Sequence, residues 1–190
     1  MNLQGLYGAV PLSHFFLRER LMPGDRAIDA TCGNGQDTLF LAKLVGAAGK
    51  VWAFDIQAAA LSLSKERLEA AGLLGRVSLV HAGHERMAEF VAEAVKVILF
   101  NLGYLPTGGQ EIKTSASTTV AALDQGKKLL LPAGMILIAV YTGHEGGEDE
   151  WSAVKEWAEG LDPREFNVWQ SRQLNRSKKA PFLVMVEKTQ

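Results

Sequence analysis

Cysteine is all but missing from this chain. The single thiol, Cys32, can form no intramolecular disulfide and cannot support a multi-cysteine zinc or iron–sulfur site, so a reducing cytosol is the expected setting. Long apolar runs are missing too. The strongest, Val97 to Phe100 and Met135 to Tyr141, fall far short of the ~20 residues that span a bilayer. Met1 to Arg20 lacks a basic leader and carries Arg18, Glu19 and Arg20 where a small-residue cleavage site would stand, so no signal peptide is expected. A soluble, cytoplasmic protein with no membrane partner follows as the expectation. Nor does either sign of charge dominate: 20 Lys and Arg face 21 Asp and Glu, a formal net charge of -1. Any nucleic-acid contact must therefore rest on a local basic patch rather than on a field over the whole molecule.

What is present is a 190-residue chain, 47% hydrophobic, long enough for one domain (1–190, with 1–24 as an N-terminal helical segment) and too short for two ordinary ones. Glycine is in excess, at 19 of 190 against an average near ~7%, which points to tight turns and close backbone approaches. Short apolar runs alternate with stretches of helical period, the pattern of repeated βα units on a largely parallel sheet. The runs predict strands at about Arg26–Ala30, Lys50–Asp55, Val77–His81, Val95–Asn101, Met135–Tyr141, Phe166–Gln173 and Phe182–Glu187. Helices are predicted at about Val10–Arg20, Asp37–Val45, Gln57–Ala71, His84–Ala92, Ser115–Leu131 and Glu148–Glu159. The connection Leu174 to Pro181 is too short for a helical crossover, so the last two strands should be antiparallel neighbours. The predicted architecture is α/β: a Rossmann-like, class I methyltransferase sheet of seven mostly parallel strands, the last one reversed, with helices on both faces.

The first strand runs into Asp29-Ala-Thr-Cys-Gly33-Asn34-Gly35-Gln36-Asp37-Thr38, where a helix opens. Glycines there let the backbone turn sharply and approach a ligand. The dinucleotide pattern G-x-G-x-x-G would need glycine where Thr38 stands, which weakens a nicotinamide reading. Asp29 would repel a pyrophosphate but suits a ligand ammonium group, and S-adenosylmethionine carries an ammonium and a sulfonium without phosphate. Asp55, 26 residues after Asp29 at the end of the second strand, is placed to accept from ribose hydroxyls. His84 and Glu85 follow the third strand and border the expected adenine site; Asn101 ends the fourth. Asp29 can also be read as a structural acid, Asp55 as an ordinary strand end, and Cys32 as a buried filler. No metal is expected, because strand-to-loop geometry turns His81 and His84 in different directions.

Taken together, Asp29-Ala-Thr-x-Gly-Asn-Gly-x-Asp-Thr, Phe54-Asp-Ile-Gln57, His84-Glu85, Asn101-Leu-Gly-Tyr-Leu-Pro106, Tyr141-Thr-Gly-His-Glu-Gly-Gly147 and Asn175-Arg176 resemble a family across nearly the whole chain. It is that of small bacterial methyltransferases once labelled rRNA methylases, whose characterised members are MnmM-type tRNA methyltransferases. The resemblance implies methyl transfer from S-adenosylmethionine to the exocyclic amine of 5-aminomethyl(-2-thio)uridine in the tRNA anticodon loop, by a homodimer. The candidate cofactor residues are Asp29, Gly33, Asn34, Gly35, Gln36, Asp37, Asp55, Gln57, His84, Glu85 and Asn101. Asn101 and Tyr104, in a segment similar to the Asn-Pro-Pro-Tyr motif of amino-group methyltransferases, and His144 are the candidate catalytic residues. Tyr141, Arg172, Arg176, Lys178 and Lys179 are the candidate RNA contacts. The same chemistry on rRNA or a small amine, and a nonenzymatic S-adenosylmethionine-binding module, are the alternatives.

Overall fold

The computed structural model describes residues 7–103 and 114–189. Seven strands are laid down in chain order: β1 (Arg26–Asp29), β2 (Lys50–Asp55), β3 (Val77–His81), β4 (Val95–Asn101), β5 (Leu130–Val140), β6 (Phe166–Ser171) and β7 (Phe182–Lys188). They form one sheet in the order β3-β2-β1-β4-β5-β7-β6. Only β7 runs against its neighbours, pairing antiparallel with both β5 and β6. The seven strands and the reversed last one match the sequence expectation.

Both sheet faces are covered, which is why the central strands read as nearly continuous apolar runs rather than alternating ones. Ala27, Val51, Val97, Leu99 and Leu137 point to one side. There they meet Leu17 of α1 (Ala9–Arg20), Leu41 of α2 (Gln36–Leu44) and Leu68 of α3 (Ala58–Ala70). Ile28, Trp52, Phe54, Ile98, Phe100 and Ile136 point to the other. They pack on Met87 of α4 (Met87–Phe90), Leu123 of α5 (Ala116–Leu129) and Val154 of α6 (Gly147–Glu159). The chain steps outward from β1 through β2 to β3, then returns to the far side of β1 with β4. A crevice opens at such a reversal beyond the carboxyl ends of β1 and β4, and ligands of open α/β sheets bind there.

Two elements differ from expectation. The helix predicted over His84–Ala92 is a 3-10 turn (His84–Arg86) followed by only four helical residues, because Val91 is extended and its side chain drops into the core. Strand β5 begins at Leu130, not near Met135: Leu130 pairs with Val95, and Pro132-Ala133-Gly134 bulges out before Met135 resumes opposite Val97. Ala133 holds φ 54, and a Cβ on Gly134 would lie 2.7 Å from the Leu131 carbonyl oxygen. A Pro-Ala-Gly run reads as a strand breaker, and here it is a bulge within a strand.

Candidate active site

A cavity of about 600 Å³ lies in that crevice. Its walls come from the ends of β1, β2, β3, β4 and β5 and include Gly33, Asn34, Gln36, Asp37, Asp55, Gln57, His84, Glu85, Asn101, Tyr141 and His144. Eleven residues expected from distant parts of the sequence thus converge on one space.

The loop between β1 and α2 is held from beneath. Asp55 Oδ2 accepts the Gly33 N–H at 2.8 Å, and its Oδ1 accepts the Gln57 N–H at 2.8 Å. A carboxylate offers about four acceptor sites, so two remain for ligand hydroxyls. Gly35 adopts the left-handed conformation (φ 76) as the N-cap of α2. A Cβ there would come within 2.6 Å of the Ser64 hydroxyl, so Gly35 is required by packing against α3 and does not line the cavity.

Asp29, like Gly35, sits behind the loop. It is fully buried, off the cavity wall, with Oδ2 accepting from Thr38 Oγ1 at 2.6 Å and Oδ1 from the Thr31 N–H at 3.1 Å. Burial, reinforced by the charge of Asp37, pushes its carboxyl up to about 7. Thr38, the residue that departs from the dinucleotide pattern, is the partner that satisfies it. Cys32 is also a buried structural group: its thiol lies between Ser64 Oγ (3.2 Å) and Thr38 Oγ1 (3.3 Å), and burial pushes it up to about 12. A thiol so disfavoured from ionising is no nucleophile.

His84 is nine-tenths buried and ring-edge to Phe100. Its Nδ1 faces the Ala30 carbonyl at 3.1 Å, so Nδ1 carries the proton; burial holds its pKa below the usual value. Nε2 is then a bare acceptor, buried and without a partner among the described residues. A purine amino group would satisfy it. His81 instead turns Nε2 to the Ile56 carbonyl, 3.0 Å away, so the two histidines serve different carbonyls. Glu85 lies over Gly83, where a Cβ would collide with its carboxylate.

At the other end of the cavity stands an arrangement that sequence reading missed. His14, on α1, places Nε2 at 2.7 Å from Asp37 Oδ1 and stacks on Phe40 with ring centroids 4.0 Å apart. Asp37 Oδ2 accepts from Asn101 Nδ2 at 3.2 Å. A carboxylate can only accept, so the Asn101 amide must present its NH₂ to Asp37, leaving Oδ1 as an acceptor for another donor. Twenty-three residues separate His14 from Asp37, and no local pattern signals the pairing.

His144 and Tyr141 border the same end, where a Cβ on Gly103 would meet both at 3.9 Å. Thr114 accepts the Gly103 N–H at 3.3 Å and donates to buried Glu150 at 2.9 Å. Tyr104 lies outside the described residues.

The four cations expected at an RNA surface are not together on the cavity wall. Arg172 lies over the Phe182 ring at 3.5 Å and donates to the Lys178 carbonyl at 3.0 Å, bracing the β6–β7 turn. Lys178 and Lys179 are exposed on that turn, and Arg176 borders a second, smaller cavity.

Residues 51–187 match the family described as "Putative rRNA methylase". Among curated proteins, the chain is 38% identical over 196 residues to a chloroplastic tRNA (mnm(5)s(2)U34)-methyltransferase of Arabidopsis thaliana, covering 98% of this chain and 71% of that one. Among solved structures, a protein of Clostridium thermocellum described as a "putative rRNA-methylase" superposes with TM-score 0.94 at 38% identity, over 97% of this chain and 99% of that one. A Streptococcus mutans methyltransferase solved in complex with S-adenosylhomocysteine superposes with TM-score 0.87 at 39% identity, over 95% and 97%. The sheet order, the cavity at the strand ends and these likenesses agree: the chain belongs to the rRNA methylase family of class I, S-adenosylmethionine-dependent methyltransferases.

Proposed function

We propose that this protein methylates the exocyclic amine of 5-aminomethyl(-2-thio)uridine at the wobble position of tRNA. The activity of the Arabidopsis relative supports the acceptor, and the Asp37-anchored amide of Asn101 carries the proposal on this chain. S-adenosylmethionine, when bound, supplies an electrophilic methyl group. The cavity fits it: Asp55 keeps acceptor sites for ribose hydroxyls, and His84 Nε2 awaits a donor such as the adenine amine.

The residues at the far end then have defined work. An alkyl amine attacks only when neutral, so the site must hold it with its lone pair aimed at the methyl and accept its N–H groups. Asn101 Oδ1 is the acceptor that orients the amine. Tyr141 and His144 border this end of the cavity and shape the space for the base, and Tyr104 belongs to the same proposal from its place in the Asn101–Pro106 segment. Lys178 and Lys179 supply phosphate contacts. The exposed edge strand β6, with Trp169 66% exposed, supports a homodimer. No helix among the described residues is long and apolar enough to cross a membrane, and a cytoplasmic setting suits the buried thiol.

Mass spectrometry of tRNA nucleosides from a deletion strain tests the proposal. Loss of 5-methylaminomethyl uridines with build-up of the aminomethyl precursor is expected. An unchanged tRNA profile, or a methyl group lost from rRNA instead, rejects the acceptor.

A further inference from the structure

We propose that the second cavity holds a nucleotide flanking the methylated uridine in the same RNA strand, a reading that rests on the tRNA activity proposed above. This cavity measures about 340 Å³ and lies between the start of α1 and the β6–β7 turn. Tyr141 and Val10 line both it and the transfer cavity, so the two cavities adjoin and neighbouring nucleotides of one strand could occupy them.

Its chemistry selects a nucleotide over other ligands. Tyr7, 81% exposed, offers an aromatic face on which a base can stack. Gln173 brings an amide that can both donate to and accept from a base edge. Arg176 supplies a planar cation matched to phosphate, and it forms no ion pair among the described residues. Among the described residues no carboxylate lines the cavity, which disfavours cationic ligands, and these polar groups disfavour a lipid. The turn itself divides the labour of its arginines: Arg172 is spent over Phe182, whereas Arg176 faces the cavity. Unpaired loops are read in this manner, with splayed bases stacked on aromatic or guanidinium planes.

The test is a thermodynamic cycle between protein and RNA, read as stem-loop affinity by fluorescence anisotropy with S-adenosylhomocysteine present. Anticodon stem-loops carry an intact wobble uridine with an abasic site at the nucleotide before or after it. Against wild type, one of the two abasic loops should bind about tenfold more weakly. A Tyr7→Ala, Arg176→Gln double variant should bind the intact loop at least that much more weakly, and the same abasic site should then cost nothing more. Tyr7→Phe should keep the wild-type penalty, and unchanged S-adenosylhomocysteine affinity certifies the fold. An abasic penalty of full size in the double variant, or wild-type affinity for the intact loop, overturns the proposal. So does a shift of the double variant from dimer to monomer in sedimentation with the abasic penalty intact, which would assign the cavity to a second copy of the chain. Failure of wild type to bind any anticodon stem-loop removes the tRNA reading itself, a separate outcome from loss of the cycle alone.

Discussion

The transfer cavity and the β6–β7 turn are built on opposite principles. On the side of β1 and β2, the polar groups are tied to one another: Asp55 to two backbone N–H groups, Asp29 to Thr31 and Thr38, Cys32 to Ser64. At the β6–β7 turn, Arg176, Lys178 and Lys179 carry charge at the surface and form no ion pair among the described residues. A small, invariant ligand rewards a site prebuilt at the cost of ordering. A large polyanion is better met by cations that exchange bound counterions for phosphates. Preorganisation thus belongs to the cofactor cavity, and electrostatic capture is what the turn proposed to meet RNA is built for.

The largest break in this contrast should come from Asp55→Ala. Two backbone N–H groups lose a charged acceptor, so S-adenosylhomocysteine affinity should fall about a hundredfold by calorimetry, with a lowered Tm. Unchanged affinity would show that the loop holds its shape without Asp55. Next is His14, whose hydrogen-bonded chain runs through Asp37 to Asn101, the proposed amine acceptor. His14→Phe keeps the stack on Phe40 but removes the donor, and kcat should drop about tenfold with cofactor affinity nearly intact. His14→Gln restores an N–H and should recover most of that loss; equal kcat for the two variants would reduce His14 to a packing residue.

Asp29 gives a pH-dependent effect on stability rather than on binding or turnover. Its folded value of about 7 lies above the ordinary carboxyl value of 3.8, so between these the folded state binds the extra proton. Its contribution to stability is full below pH ~4 and is lost as pH rises through ~7, at up to roughly 1.4 kcal/mol per pH unit. Urea unfolding of Asp29→Asn should show that slope removed, and an identical slope would locate the proton elsewhere. Smallest is the pair Lys178→Ala and Lys179→Ala: S-adenosylhomocysteine binding should not change, while the salt dependence of stem-loop binding flattens by about 1.4 in log–log slope. An unchanged slope would move the phosphate contacts off the turn.

The same contrast explains what was legible beforehand. Strands β2 and β4 fall on their predicted bounds because burial on both faces writes them as apolar runs, and β3, half-buried at the sheet edge, falls on its bounds as well. Asp55 and Asn101 end strands and His84 opens the turn that follows one, and such positions are readable. Asp29 and Gly35 were recognisable as special positions, but the ligand and the neighbouring helix make the same demand on them, and only packing separates the two. His14 was invisible because its partner is set by how α1 crosses the sheet. Arg172 and Arg176 look alike in sequence, and a ring 3.5 Å away from one of them decides their roles.

One consequence follows from the position of β7. Strand β6 touches the sheet only through β7, which is made after it. During synthesis, β1 to β5 and the loop around Asp55 can close while β6 has no place to dock. The turn bearing Arg172, Arg176 and the two lysines takes shape only when residues 182–188 slot between β5 and β6. A nascent chain would therefore acquire the cavity for its methyl donor before it acquires the basic turn proposed to meet RNA.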